Sequence, residues 1–68
     1  MKTLDCIRAL EKWKRAKPHR CWDMGSAYLG NWFSVSIIEL SNNGVDKLWR
    51  HKTLNVALNQ AVKFVRAK

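Results

Sequence analysis

The chain has 68 residues and a net charge of +8, from 13 Lys and Arg against five Asp and Glu. This length gives one small domain, residues 1–68, and excludes a large active-site cleft, a second domain or a dinucleotide-binding fold. A hydrophobic share of 47% and four tryptophans exclude simple disorder.

The cations are concentrated in two stretches that contain no acid. Residues 12–20 hold five Lys and Arg, and the segment after Asp46 holds six more. Like charges on a small surface repel one another, and a polyanionic partner relieves that repulsion. Nucleic acid is the commonest such partner, and plain solubility is the alternative.

The sequence carries no sign of export or membrane insertion. Asp5 and Arg8 interrupt any apolar signal-peptide core, and no apolar run approaches the roughly 20 residues that span a bilayer. Two cysteines, Cys6 and Cys21, do not make a dense disulfide framework. We therefore expect a cytoplasmic protein with reduced thiols and no membrane partner.

The first predicted element is a helix from Leu4 to Lys17, with Thr3 as its N-cap. Its apolar side contains Cys6, Leu10 and Trp13 at helical spacing. Its opposite face contains Arg8, Glu11, Lys12 and Arg15. Pro18 ends the helix because the residue before a proline is disfavoured in the α region.

Residues 19–31 fit either a first strand or an irregular segment. Gly25-Ser26 and Gly30-Asn31 are turn signals. Residues 27–29 between them fit the end of a first strand, which Gly30-Asn31 would turn into the next one.

Residues 32–40 are the clearest strand, and residues 45–52 are its hairpin partner after a turn at residues 41–44. A two-residue loop at 43–44 pairs Ile37 with Arg50. A three-residue loop at 42–44 pairs Ile37 with Trp49 and also sets a glutamate opposite a lysine, so we favour it.

This register divides the hairpin into two faces. The core face contains Phe33, Val35, Ile37 and Trp49. The other face contains Trp32, Ser34, Ser36, Arg50 and Lys52.

The last element is a helix that Thr53 caps, with its apolar stripe at Leu54, Ala57, Leu58, Ala61, Phe64 and Val65. The predicted fold is therefore α+β, in the order α-β-β-β-α. A small antiparallel sheet of two to three strands has both terminal helices packed on one face.

No residue pattern indicates catalysis or metal binding. The acids are scattered, and no acid is placed to orient His51. The possible ligands Cys6, His19, Cys21 and His51 lack the close paired spacing of zinc sites. The three glycines match no phosphate-binding loop. We expect no enzyme activity, no metal and no cofactor.

In element order, length, basicity and the Phe33-x-Val35-x-Ile37 strand, the chain resembles the double-stranded RNA-binding domain. The resemblance implies phosphate contacts near the start of the last helix. The cations here precede that helix, at Arg50 and Lys52, and the family's Gly-Pro-x-His turn is absent. The layout also loosely resembles small phage-encoded accessory proteins.

The residues favour a nucleic-acid-binding module that contacts the phosphate backbone of RNA or DNA with little sequence selectivity. Trp32 is a candidate for stacking on a base. The candidate interface is Arg8, Lys12, Arg15, Lys17, Arg20, Trp32, Arg50, Lys52, Lys63 and Arg66. The alternative is an interaction or inhibitory protein that docks on an acidic protein partner, as a monomer or a homodimer.

Overall fold

The structure, a computed structural model, describes residues 1–26, 32–40 and 44–67. Its elements are α1 (Thr3–Ala16), β1 (Arg20–Ser26), β2 (Phe33–Glu39), β3 (Val45–His51) and α2 (Leu54–Arg66). This order confirms the predicted α-β-β-β-α fold. Residues 27–31 and 41–43, where the sequence predicts the end of a strand and two turns, lie outside the described residues.

The three strands form one antiparallel sheet in the order β1-β2-β3. The turn predicted at Gly25-Ser26 is wrong, because these residues extend β1 and pair with Ser34 and Phe33 of β2. A Cβ added to Gly25 would lie at an ordinary 3.7 Å from the Ser34 hydroxyl. Gly25 therefore sits in a regular strand, where neighbouring backbone pairing outweighs its turn propensity.

The predicted register of the β2–β3 hairpin is wrong by two residues. Val35 pairs with Trp49, and Ile37 pairs with Lys47. A shift of two positions leaves every side chain on its predicted face, so alternation alone cannot detect it. Trp49 also packs against Phe64 of α2, with ring centroids 5.4 Å apart and planes at 59°. This contact between distant elements helps to select the register.

Both helices pack on the same face of the sheet and form one core with it. The fully buried side chains are Cys6, Leu10, Val35, Ile37, Ala57, Leu58 and Ala61, with Val62 nearly so. α1 covers β1, α2 covers β2 and β3, and the two helices also contact each other. Each buried Leu or Ile contributes about 1.5–3 kcal/mol, so this core accounts for much of the stability.

The start of α1 is held against α2 by side-chain amides. The sequence predicts Thr3 as the N-cap of α1, but the N-cap is Lys2 and Thr3 is the first helical residue. Its hydroxyl accepts a hydrogen bond from Asn55 at 3.1 Å. Asn55 and Asn59 each donate to the Met1 carbonyl at 3.0 Å. The two helices are thus joined by polar contacts beside their shared apolar core.

Helix α1 ends at Ala16, two residues before Pro18, as the proline predicts. His19 then adopts a positive φ of 66°. Its carbonyl accepts a hydrogen bond from the Leu40 backbone at 2.8 Å, which continues the pairing between β1 and β2 beyond their ends. In the part of the chain that the structure describes, no helix is long and apolar enough to cross a bilayer.

Candidate nucleic-acid interface

The helix side of the domain carries most of the cations. Eight of the 13 belong to the first 17 residues or to α2, and all eight are exposed: Lys2, Arg8, Lys12, Lys14, Arg15, Lys17, Lys63 and Arg66. We call these residues the helix-side cations. Only two of the five acids, Asp5 and Glu11, lie in the same segments.

The predicted stripe on α1 is exposed along its length. Arg8, Lys12 and Arg15 follow each other at four- and three-residue spacing, on the side away from buried Cys6 and Leu10. This amphipathic placement arises because the apolar stripe must face the sheet. The three cations are therefore available to a partner in solution.

Glu11 lies within the basic stripe but is held by another residue. One of its carboxylate oxygens accepts a hydrogen bond from the Trp22 indole at 2.8 Å. The other lies 3.9 Å from Arg15, whose side chain is 82% exposed, so this ion pair is weak. Glu11 thus links α1 to β1 and neutralises little of the stripe.

Lys63 and Arg66 lie together in the last turn of α2. They line a groove of about 480 Å³ with Asn59 and with Met1 from the start of the chain. The structure therefore places these two predicted interface residues beside the beginning of α1.

Arg20 differs from the other predicted interface cations because its guanidinium is occupied within the fold. It donates to Glu39 at 2.8 Å and to the Trp13 carbonyl at 3.0 Å. It also stacks over the Trp13 ring at 4.7 Å, and only 14% of its side chain is exposed. The sequence predicts Arg20 as an interface residue, whereas in the structure its guanidinium joins α1 to the sheet.

The sheet face that points away from the helices is open and nearly neutral. Its cation Arg50 is accompanied by two exposed acids, Asp23 and Asp46. Small or apolar side chains occupy most of its other described positions: Cys21, Gly25, Ser34, Ser36, Ile38 and Leu48. Leu48 is 53% exposed.

One end of this open face forms a groove beside Trp32. The groove has a volume of about 490 Å³ and is lined by Ser26, Trp32, Phe33, Ser34 and Arg50. The Lys52 ammonium lies 5.7 Å from the centre of the Trp32 ring. The structure thus brings together three predicted interface residues, Trp32, Arg50 and Lys52, on the opposite side of the sheet from the helices.

The four tryptophans have different environments. Trp13, Trp22 and Trp49 pack against the buried core, whereas Trp32 is 46% exposed. Trp22 faces the helices because β1 places it opposite buried Ile37. The sequence left the role of Trp22 open, since neither the extent of β1 nor its register could be read from it.

The described residues contain no group of three or more His, Cys, Asp or Glu that could hold a metal ion. His51 accepts a hydrogen bond through Nδ1 from the Thr53 backbone at 3.0 Å, which links β3 to α2. Burial raises the pKa of the Cys6 thiol, because the charged thiolate is disfavoured in the core. Cys21, on the open face, is exposed.

Comparison of the chain with protein-family models, with curated proteins and with solved structures finds no match. The resemblance to the double-stranded RNA-binding domain therefore stays a prediction.

Proposed function

We propose that this chain is a small nucleic-acid-binding domain that contacts the phosphate backbone through its helix-side cations. The observation that carries the proposal is the concentration of eight exposed cations in residues 1–17 and α2, against two acids in the same segments. Phosphate contacts by Lys and Arg give affinity without reading base sequence.

The distribution of cations distinguishes this proposal from plain solubility. Charge that served only solubility would be spread over all faces and interleaved with acids. Here the segment from residue 18 to residue 53 holds four cations and three acids, and one of those cations, Arg20, is paired with Glu39. The excess positive charge therefore belongs to the helices.

The test is a salt titration of binding to duplex RNA, duplex DNA and single strands. Each phosphate contact contributes about −0.9 to the slope of log affinity against log salt on duplex DNA, and about −0.7 on a single strand. We expect a slope of about −3 or steeper, which corresponds to at least three or four contacts. Absence of binding to all three ligands at low salt would contradict the proposal.

An acidic protein is the second candidate partner. Leu4 lies on the exposed stripe of α1, one turn before Arg8, and is 57% exposed. An exposed leucine among cations suits an acidic partner that also offers apolar contacts, whereas phosphates leave that leucine unused. Capture of a protein that survives nuclease treatment and is lost in Leu4→Glu would favour this alternative.

A further inference from the structure

We infer that the groove beside Trp32 binds one unpaired base together with an adjoining phosphate, so that the preferred partner is single-stranded. This inference rests on the proposed function and specifies its ligand. It concerns the open sheet face, whereas the phosphate contacts above concern the helices.

The first support is the exposure of Trp32. Three of the four tryptophans pack against the core, where their large apolar surface stabilises the fold. Trp32 leaves nearly half of its surface in water at the start of β2. An aromatic ring held at the end of a sheet offers a flat surface for stacking, and base stacking on such a ring is tolerant of sequence.

The second support is the charge around the ring. Lys52 lies 5.7 Å from the ring centre and Arg50 lines the same groove, whereas none of the described residues lining it is an acid. Asp23 and Asp46 pair with Ser36 and Ile38, farther along the sheet. The groove therefore combines an aromatic surface with two cations, which suits a planar group that carries an anion.

The third support is the size and polarity of the groove. Its volume of about 490 Å³ falls within the range of roughly 300–1,000 Å³ that is usual for small-ligand sites. Ser26 and Ser34 line it and bring hydroxyl groups, which can both donate and accept hydrogen bonds. A nucleotide matches each of these features. Its base can stack on the Trp32 ring and form hydrogen bonds with the serine hydroxyls, and its phosphate can pair with Arg50 and Lys52.

A single strand follows from the stacking geometry. Bases inside a duplex are covered on both faces by their neighbours, so only an unpaired base can lie on Trp32. Free phosphate would make no stacking contact with the ring, and an apolar peptide would offer no anion to Arg50 and Lys52. The expected ligand is thus a segment of single-stranded RNA or DNA.

The experiment compares Trp32→Ala with the full-length wild-type chain on two probes at one low salt concentration. The probes are a labelled oligothymidylate and a mixed-sequence DNA duplex of the same length. We expect Trp32→Ala to weaken oligothymidylate binding by about 5- to 150-fold, the loss measured for one stacked base. Its duplex affinity and its salt slope stay near wild-type values, because no phosphate contact is removed.

Two further variants separate stacking from folding and from charge. Trp32→Phe keeps an aromatic ring, and we expect it to retain most of the affinity for oligothymidylate. Arg50→Gln combined with Lys52→Gln should reduce the salt slope on oligothymidylate by about 0.7, the change expected when the contact with one phosphate is lost. A circular dichroism melt of each variant checks that the fold persists.

Failure of the inference is distinct from failure of the proposed function. Suppose that charge reversal of Arg8, Lys12 and Arg15 abolishes binding, whereas Trp32→Ala leaves it unchanged. The inference about the groove would then be overturned, and the proposed phosphate contacts of the helix-side cations would stand. If a folded Trp32→Ala variant lost equal affinity for both probes, the inference that the groove binds an unpaired base would also be overturned. The same holds if the wild-type protein binds the duplex more tightly than the oligothymidylate. Absence of binding to every probe would overturn both.

Discussion

The two sides of this domain differ in charge and in chemistry. Residues 1–17 and α2 carry eight exposed cations and two acids, whereas the open side of the sheet has two cations, Arg50 and Lys52, against the two acids Asp23 and Asp46. The open face instead exposes Trp32 and Leu48. A net charge of +8 therefore does not describe a uniformly basic molecule, because most of the excess positive charge belongs to residues 1–17 and α2.

The largest expected effect comes from reversing the α1 stripe. Changing Arg8, Lys12 and Arg15 to Glu should weaken nucleic-acid binding by about 100-fold or more, because it removes three phosphate contacts and adds repulsion. All three side chains are exposed, so the thermal midpoint should change little. A folded triple variant with wild-type affinity in fluorescence anisotropy would remove α1 from the interface.

Loss of the Arg20 contacts that join α1 to the sheet should lower the stability of the fold. Arg20→Leu leaves the partly buried Glu39 carboxylate and the Trp13 carbonyl without their donor. We expect a loss of about 1–3 kcal/mol in the free energy of unfolding, measured by urea denaturation.

The exposed Arg8→Leu is the matched control for Arg20, and it should change the unfolding free energy by no more than about 0.5 kcal/mol. Equal effects of the two substitutions would show that Arg20 is an ordinary surface cation. The structural role assigned to it would then be wrong, and it would return to the predicted interface.

A smaller effect separates charge from stability at Glu11. Glu11→Lys should strengthen nucleic-acid binding several-fold and lower stability by about 1 kcal/mol, because the Trp22 indole loses its acceptor. Glu11→Gln retains an acceptor oxygen and should strengthen binding with little loss of stability. If both variants bind as the wild type does, charge on the helix side does not determine affinity.

The smallest effect distinguishes the two cysteines. Cys21, on the open face, should react with a thiol reagent in the folded protein, whereas buried Cys6 should react only on unfolding. Because burial raises the pKa of Cys6, the Cys6 thiol favours the folded state at pH values below the ordinary pKa of cysteine. That contribution is lost as the pH rises through the folded-state value, because the unfolded chain releases the proton first.

Cys6→Ala is the control for this pH dependence. The alkaline loss of stability should be shallower in Cys6→Ala than in the wild type. Equal reaction rates of Cys6 and Cys21 in the native protein, followed by mass spectrometry, would contradict the burial of Cys6 in the core.

The local patterns were enough to predict the helices and the main strand. The spacing of Cys6 and Leu10 on α1 and the alternation of Val35 and Ile37 on β2 each report which side a residue buries, and the buried side is a local property. The common face for both helices followed because each helix and the sheet had one apolar surface to cover.

Contacts between distant elements could not be predicted in the same way. The hairpin register has the same faces when shifted by two residues, and the Trp49–Phe64 contact that distinguishes the alternatives joins β3 to α2. The Arg20–Glu39 pair likewise depends on the register of β1 against β2. The sequence therefore predicts the α1 stripe from local spacing. It also predicts Arg20 as an interface residue, because the pairing of Arg20 with Glu39 cannot be read from local spacing.

The central claim, that the helix side binds phosphates, is tested most directly by the salt slopes of two single charge reversals. Lys12 is exposed on the α1 stripe, and Arg50 is exposed on β3, on the open face of the sheet that points away from the helices. Both Lys12→Glu and Arg50→Glu change the net charge equally. We predict that Lys12→Glu reduces the slope on duplex DNA by about 0.9 and that Arg50→Glu leaves it unchanged, because a duplex offers no unpaired base to the groove beside Trp32. Equal slopes for the two variants would contradict a helix-side interface.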